Sequence, residues 1–144
     1  MTTSYCFADT GFFYALVDRG DAWHAASVSV LRDVQRKGLV VMTSDFVVAE
    51  THALLLHRLG RHAALQWLDN LSEWVLVEAA FRTDLYQAYE ILHHYADHEF
   101  TLTDAISFSL MRRLGIRVGL TMDRHFAAYG EDLLLFPLFG TEIP

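Results

Sequence analysis

Four carboxylates occupy positions from which they could do chemistry: Asp9, Glu50, Asp104 and Asp123. Asp9 directly follows a short apolar run at 5–8, and Asp123 closes the sequence LTMD just beyond another run at 118–120. In an open parallel sheet the ligand crevice lies beyond the carboxyl ends of the strands, so acids that end neighbouring strands converge on one place. The competing reading for each is a helix N-cap, a position that Asp also favours. Glu50 lies in a helix-periodic segment, three residues after Val47 and four before Leu54, where it interrupts an apolar stripe. A carboxylate there is costly to desolvate without a cation or hydrogen-bond donors, so a sheltered functional role is expected over a solvated surface one. Asp104 follows Thr103 at a predicted helix start, where the helix dipole favours an anion in any case.

Clustered carboxylates repel one another and raise each other's pKa unless divalent cations neutralise them. Hard oxygen ligands, with no Cys among them and no His required, favour Mg²⁺, with Mn²⁺ as a substitute, over Zn²⁺. One or two such ions can activate a water and stabilise the leaving oxygen of a phosphodiester.

The elements that must position these acids are legible as alternation. Apolar runs at 5–8, 39–42, 75–77, 118–120 and 133–136 are separated, over the first four, by long segments, and helices are expected at 22–37, 45–58, 61–71, 82–96 and 104–114. Gly38, Gly60 and Gly115 fall where helix C-caps belong, and Ser44 and Thr103 where N-caps belong. Such alternation predicts an α/β domain with a parallel sheet flanked by helices.

The chain has 144 residues, enough for one core, and is expected to form a single domain over 1–144. With 53% hydrophobic and 20% charged residues it lies far from a disordered composition and leaves an apolar surplus that a partner could cover. A net charge of −7 argues against broad, non-specific nucleic-acid binding, which needs a basic surface. No apolar stretch is long enough to span a membrane, and the N-terminus has no basic leader ahead of its apolar residues, so a cytoplasmic location is expected. The single cysteine, Cys6, has no internal disulfide partner and reads as a packing residue.

The ordered segments FADTGFFYAL (7–16), DAWHAA (21–26), TSDFVVAETHALL (43–55), LTDAISFSLMRRLG (102–115) and LTMDRHFAAYG (120–130) resemble the PIN domain. Within that family they are similar to the VapC-type toxin ribonucleases of toxin–antitoxin pairs, and the likeness covers nearly the whole chain. It implies a three-layer α/β/α sandwich with a five-stranded parallel sheet in the order 3-2-1-4-5. It also implies that Asp9, Glu50, Asp104 and Asp123 form a catalytic, metal-binding quartet, with Asp9 and Asp104 the most direct Mg²⁺ ligands. The hydroxyls of Thr10, Ser44, Thr103 and Thr121 stand beside these positions and could hold ligands or phosphate, or serve only as caps and turn contacts. The activity implied is endonucleolytic cleavage of RNA by metal-activated water, leaving 5′-phosphate and 3′-hydroxyl ends.

The partners implied are an RNA substrate, a VapB-like antitoxin and a second copy of the chain; the helix pair at 45–71, rich in Leu and carrying Leu55 and Trp67, is expected to supply much of that interface. Ten of the eleven basic residues are Arg, the better fork for phosphate, and Arg124, beside Asp123, is the one expected to meet substrate. A phosphatase of the D-x-D type is excluded because Gly11 stands two residues after Asp9, and a receiver domain because the sole lysine, Lys37, is far from a late strand. The remaining alternative is a non-catalytic PIN-like module that only binds a protein or RNA partner. His94 and His98 lack the intervening Glu and nearby Cys of a zinc site, and His24 and His125 read as positioning or packing residues.

Overall fold

All five apolar runs form strands, and all five strands are parallel, in the order β3-β2-β1-β4-β5. The computed structural model describes residues 3–144. Along the chain the elements are β1 (Tyr5–Ala8), α1 (Thr10–Val17), α2 (His24–Arg36), β2 (Val40–Ser44), α3 (Asp45–Leu59) and α4 (Arg61–Leu71). They continue as β3 (Val75–Glu78), α5 (Arg82–His94), α6 (Leu102–Leu114), β4 (Val118–Thr121), α7 (Arg124–Tyr129) and β5 (Leu134–Pro137). The α/β sandwich and the strand order implied by the family likeness are both observed.

Parallel strands need long crossovers, and helices in those crossovers cover both sheet faces, which is why the strands read as continuous apolar runs. The central strand shows this most clearly: Cys6, Phe7 and Ala8 of β1 are fully buried. Burial pushes the Cys6 thiol up to about 12, so it stays a protonated packing group. The chain builds outward from β1 through β2 to β3, then returns to the other side of β1 for β4 and β5. Strand order therefore reverses between β1 and β4, the place where an open sheet leaves a crevice. Asp9 N donates to Leu120 O at 3.0 Å and draws the two strand ends together there. Gly11 permits a close approach at the same point, since a Cβ would lie 3.0 Å from Met122 Sδ.

Aromatic contacts tie the helices to the core. Phe13 of α1 meets Trp67 and Trp74 edge-on at 5.4 and 5.8 Å, and Phe108 of α6 stacks on Tyr129 of α7 at 4.3 Å. Between α5 and α6, the buried Asp84 carboxylate accepts two bonds from the Arg113 guanidinium, each 3.0 Å, and one from Phe81 N.

Three local expectations are corrected. The N-cap of α6 is Thr101, two residues before Thr103: Thr101 Oγ1 accepts from Asp104 N at 3.0 Å and Asp104 Oδ2 accepts from Thr101 N at 3.1 Å. This reciprocal pair satisfies two amides at once, which a cap at Thr103 would not do. Leu55 is fully buried, so it does not face a partner, and Trp67 is committed to the contact with Phe13. The exposed leucines of the α3–α4 pair are Leu56, Leu59 and Leu68. Ser44 caps α3 as expected, its Oγ accepting from Val47 N at 3.1 Å. Gly115, at φ +67, ends α6 in the left-handed conformation that suits glycine. Among the described residues no helix is long and apolar enough to cross a membrane.

Candidate active site

Asp9, Thr10, Glu50, Asp104, Asp123 and His125 line a cleft of about 270 Å³ at the switch point. Asp9 stands at the N-terminus of α1, yet its side chain makes no capping bond. Its Oδ2 instead accepts from the hydroxyl of Thr121, the last residue of β4, at 3.2 Å. The same Thr121 oxygen accepts from Asp123 N at 2.9 Å, so one buried hydroxyl fixes both strand-end acids. Asp123 does cap its helix, Oδ1 accepting from His125 N at 2.9 Å, and faces the cleft as well. The helix-cap and crevice readings were alternatives in sequence; in space Asp123 satisfies both.

Asp104 is brought in by the first turn of α6. Its Oδ2, already bonded to Thr101 N, lies 3.3 Å from Nδ1 of His125, and that nitrogen is 3.5 Å from Asp123 Oδ1. Asp104, Asp123 and His125 each offer a ligand atom, and these atoms lie within 4.8 Å of one another.

The electrostatics follow from burial. Asp9 is 5% exposed, and its carboxyl is pushed up to about 7, first by desolvation and then by the charges of Asp104 and Asp123. The Thr10 amide and the Thr121 hydroxyl oppose this without cancelling it. Asp104 is also raised, chiefly by burial and then by Asp123, against hydrogen bonds from Thr101 and His125. Carboxylates held together at this cost match a divalent cation, whose charge would reverse both effects. Thr10 Oγ1 also fits a ligand here: it is buried, lines the cleft and has no hydrogen-bond partner among the described residues.

Glu50 reaches the cleft but is exposed, contrary to the sheltered position expected for it. The buried stripe of α3 runs through Val47, Thr51 and Leu55, so Glu50 lies on its flank at the cleft mouth, where water already solvates it. Ser44 and Thr103 do not line the cleft: the Ser44 hydroxyl is used as a cap, and the Thr103 carbonyl accepts from Ser107 Oγ at 2.9 Å. Arg124 is exposed beside Asp123. Thr43 was not anticipated; its hydroxyl donates to Ala8 O at 2.7 Å and braces the end of β1. His125 was read only as a positioning or packing residue, although its spacing of two from Asp123 at a helix start was the available signal. His94 and His98 pack against Tyr95, and His98 also stacks on Phe100.

A PIN domain family model matches residues 6–132. The chain is 38% identical over 125 residues to the 23S rRNA-specific endonuclease VapC20 of Mycobacterium tuberculosis, covering 86% of this chain and 93% of that protein. The crystal structure of Mycobacterium tuberculosis VapC20, described as a Sarcin-Ricin loop cleaving toxin, superposes with a TM-score of 0.78 at 37% identity over 87% of this chain and 95% of that one. VapBC2 of Rickettsia felis, solved bound to a DNA fragment from its promoter, shares the fold at 13% identity with a TM-score of 0.70, covering 91% of this chain and 96% of that one. FitAcB of Neisseria gonorrhoeae shares it at 15% identity with a TM-score of 0.61 and the same coverage. A family match across most of the chain, joined to an acidic cleft at the β1–β4 switch point, means that this chain belongs to the PIN domain family, as a VapC-type member.

Proposed function

We propose that the protein is a metal-dependent endoribonuclease and the toxin of a VapBC-type pair, with Mg²⁺ its working ion and Mn²⁺ a substitute. The observation that carries this reading is the convergence of Asp9, Asp104 and Asp123 in one cleft, with the Asp9 carboxyl raised to about 7 in the absence of a cation. Bound there, a divalent ion would lower the pKa of a water and offset charge on the leaving 3′ oxygen of a phosphodiester.

The chain's own residues have distinct parts in that reaction. Asp9 and Asp104 would hold the ion most directly, Asp123 would complete its coordination, and Glu50, at the exposed mouth, would act through water. Thr121 keeps Asp9 and Asp123 in register, and the free Thr10 hydroxyl can donate to a phosphate oxygen. Arg124 draws the RNA backbone toward the cleft. The 38% identity to a 23S rRNA-specific endonuclease supports ribosomal RNA as the substrate class and the cytoplasm as the place of action. A VapB-like antitoxin carrying a basic residue complements the acidic cleft. A homodimer would cover Leu56, Leu59 and Leu68, and residues 1–144 act as one domain.

The test is cleavage of a labelled RNA pool by purified protein with Mg²⁺ or with EDTA, beside Asp104→Asn. Cleavage by the wild type in Mg²⁺ alone is expected. Equal lanes, from folded protein free of antitoxin, would favour the alternative, a PIN-like module that only binds.

A further inference from the structure

We infer that His125 is itself a ligand of the cation, through Nδ1, making the centre a mixed nitrogen and oxygen site that binds Mn²⁺ in preference to Mg²⁺. This rests on the nuclease reading of the same cleft and goes beyond its four carboxylates.

The residue is held by three contacts. Its ring packs roughly perpendicular to the buried Phe100, 5.3 Å between centroids and 70° between planes, its backbone N donates to Asp123 Oδ1, and Nδ1 lies near both Asp104 Oδ2 and Asp123 Oδ1. Those separations, 3.3 and 3.5 Å, are long for charge-assisted hydrogen bonds, which settle at about 2.7–2.9 Å. They lie nearer the edge length of a coordination sphere, since bonds of about 2.1 Å at right angles place neighbouring ligand atoms about 3.0 Å apart. Nδ1 thus fits neither carboxylate closely. A metal ion seated among them could be bonded by all three atoms.

The Thr10 hydroxyl points independently to a ligand in the same cleft: the residue is 6% exposed and Oγ1 has no partner among the described residues. The ligand set then decides which ion. Mg²⁺ strongly favours oxygen and retains its waters, whereas imidazole nitrogen suits first-row transition ions. One nitrogen among carboxylates therefore shifts the balance toward Mn²⁺ without excluding Mg²⁺.

The test is pulsed electron paramagnetic resonance of the full chain, stripped of metal and loaded with Mn²⁺, together with competitive titration of Mn²⁺ and Mg²⁺. The wild type should show a directly coupled ¹⁴N, which His125→Gln and His125→Ala should lose. The variants should weaken Mn²⁺ by about tenfold or more, the scale on which even outer ligand partners act, and Mg²⁺ by much less. Absence of the nitrogen coupling in the wild type overturns the proposal whether or not the variants fold. Equal weakening of the two ions in folded variants also overturns it, leaving His125 as a positioning residue. The nuclease reading stands or falls separately, on EDTA and Asp104→Asn.

Discussion

The Thr121 hydroxyl donates to Asp9 Oδ2 across 3.2 Å, so the last residue of β4 holds the acid that follows β1. Because the same oxygen accepts from Asp123 N, Thr121→Val removes two hydrogen bonds at nearly constant volume. The variant should remain folded and lose about 1–2 kcal/mol of stability by urea denaturation. Its affinity for the cation should fall by about tenfold in calorimetric titration. An unchanged cation affinity would show that Asp9 and Asp123 keep their places without it.

Asp9 makes the metal-free protein sensitive to pH. Its folded pKa, about 7, lies above the ordinary value of 3.8, so the folded state keeps a proton that the unfolded state releases. Stability from this group is full below about pH 4, is lost as pH rises toward 7, and is constant above that. Asp9→Asn should therefore raise the melting temperature of metal-free protein by several degrees at pH 8 and leave it nearly unchanged at pH 4. Thermal melts in EDTA at the two pH values decide it; an equal shift at both would contradict the assignment.

Leu55 and Leu56 are adjacent on α3 but face opposite environments, one fully buried and the other 46% exposed. Leu55→Glu places a charge in the core and should abolish folding. Leu56→Glu should cost less than about 1 kcal/mol and convert a dimer to a monomer. Light scattering gives the mass, and a mass equal to that of the wild type would remove the dimer contact from this face.

Arg124 is exposed next to the cleft, and its contribution to RNA binding should be electrostatic. In an Asp104→Asn background, expected to bind without cutting, Arg124→Gln should weaken RNA uniformly across sequences. It should also reduce the slope of log Kd against log salt by about 0.7–1. A slope identical to that of the parent would exclude a phosphate contact.

Much of this architecture is legible in the residues because buried parallel strands are apolar on both faces, so runs such as 5–8 and 118–120 stand out from amphipathic helices. The placement of Asp9 and Asp123 at strand ends follows directly. The strand order came from family likeness, since alternation alone does not say on which side of β1 the fourth strand lies. Glu50 was misjudged because a helical period permits both a 47, 50, 54 stripe and the observed 47, 51, 55 stripe, and only packing against the sheet selects one. Thr101 and Thr103 are both acceptable caps, and the choice was made by the Asp104 side chain reaching back to Thr101 N. The surroundings of His125 depend on Phe100 and Asp104, which are distant in sequence and meet it only after α6 and α7 pack.

The long separation between Asp9 and Thr121, 112 positions, has a consequence during synthesis. A ribosome that has delivered Asp9 and Glu50 has yet to make the helix and strand that bring Asp104 and Asp123. Until β4 emerges, β1 has β2 as its only eventual neighbour available, and the crevice has one wall. A product that stops before β4 would therefore lack both Asp123 and the second wall of the cleft.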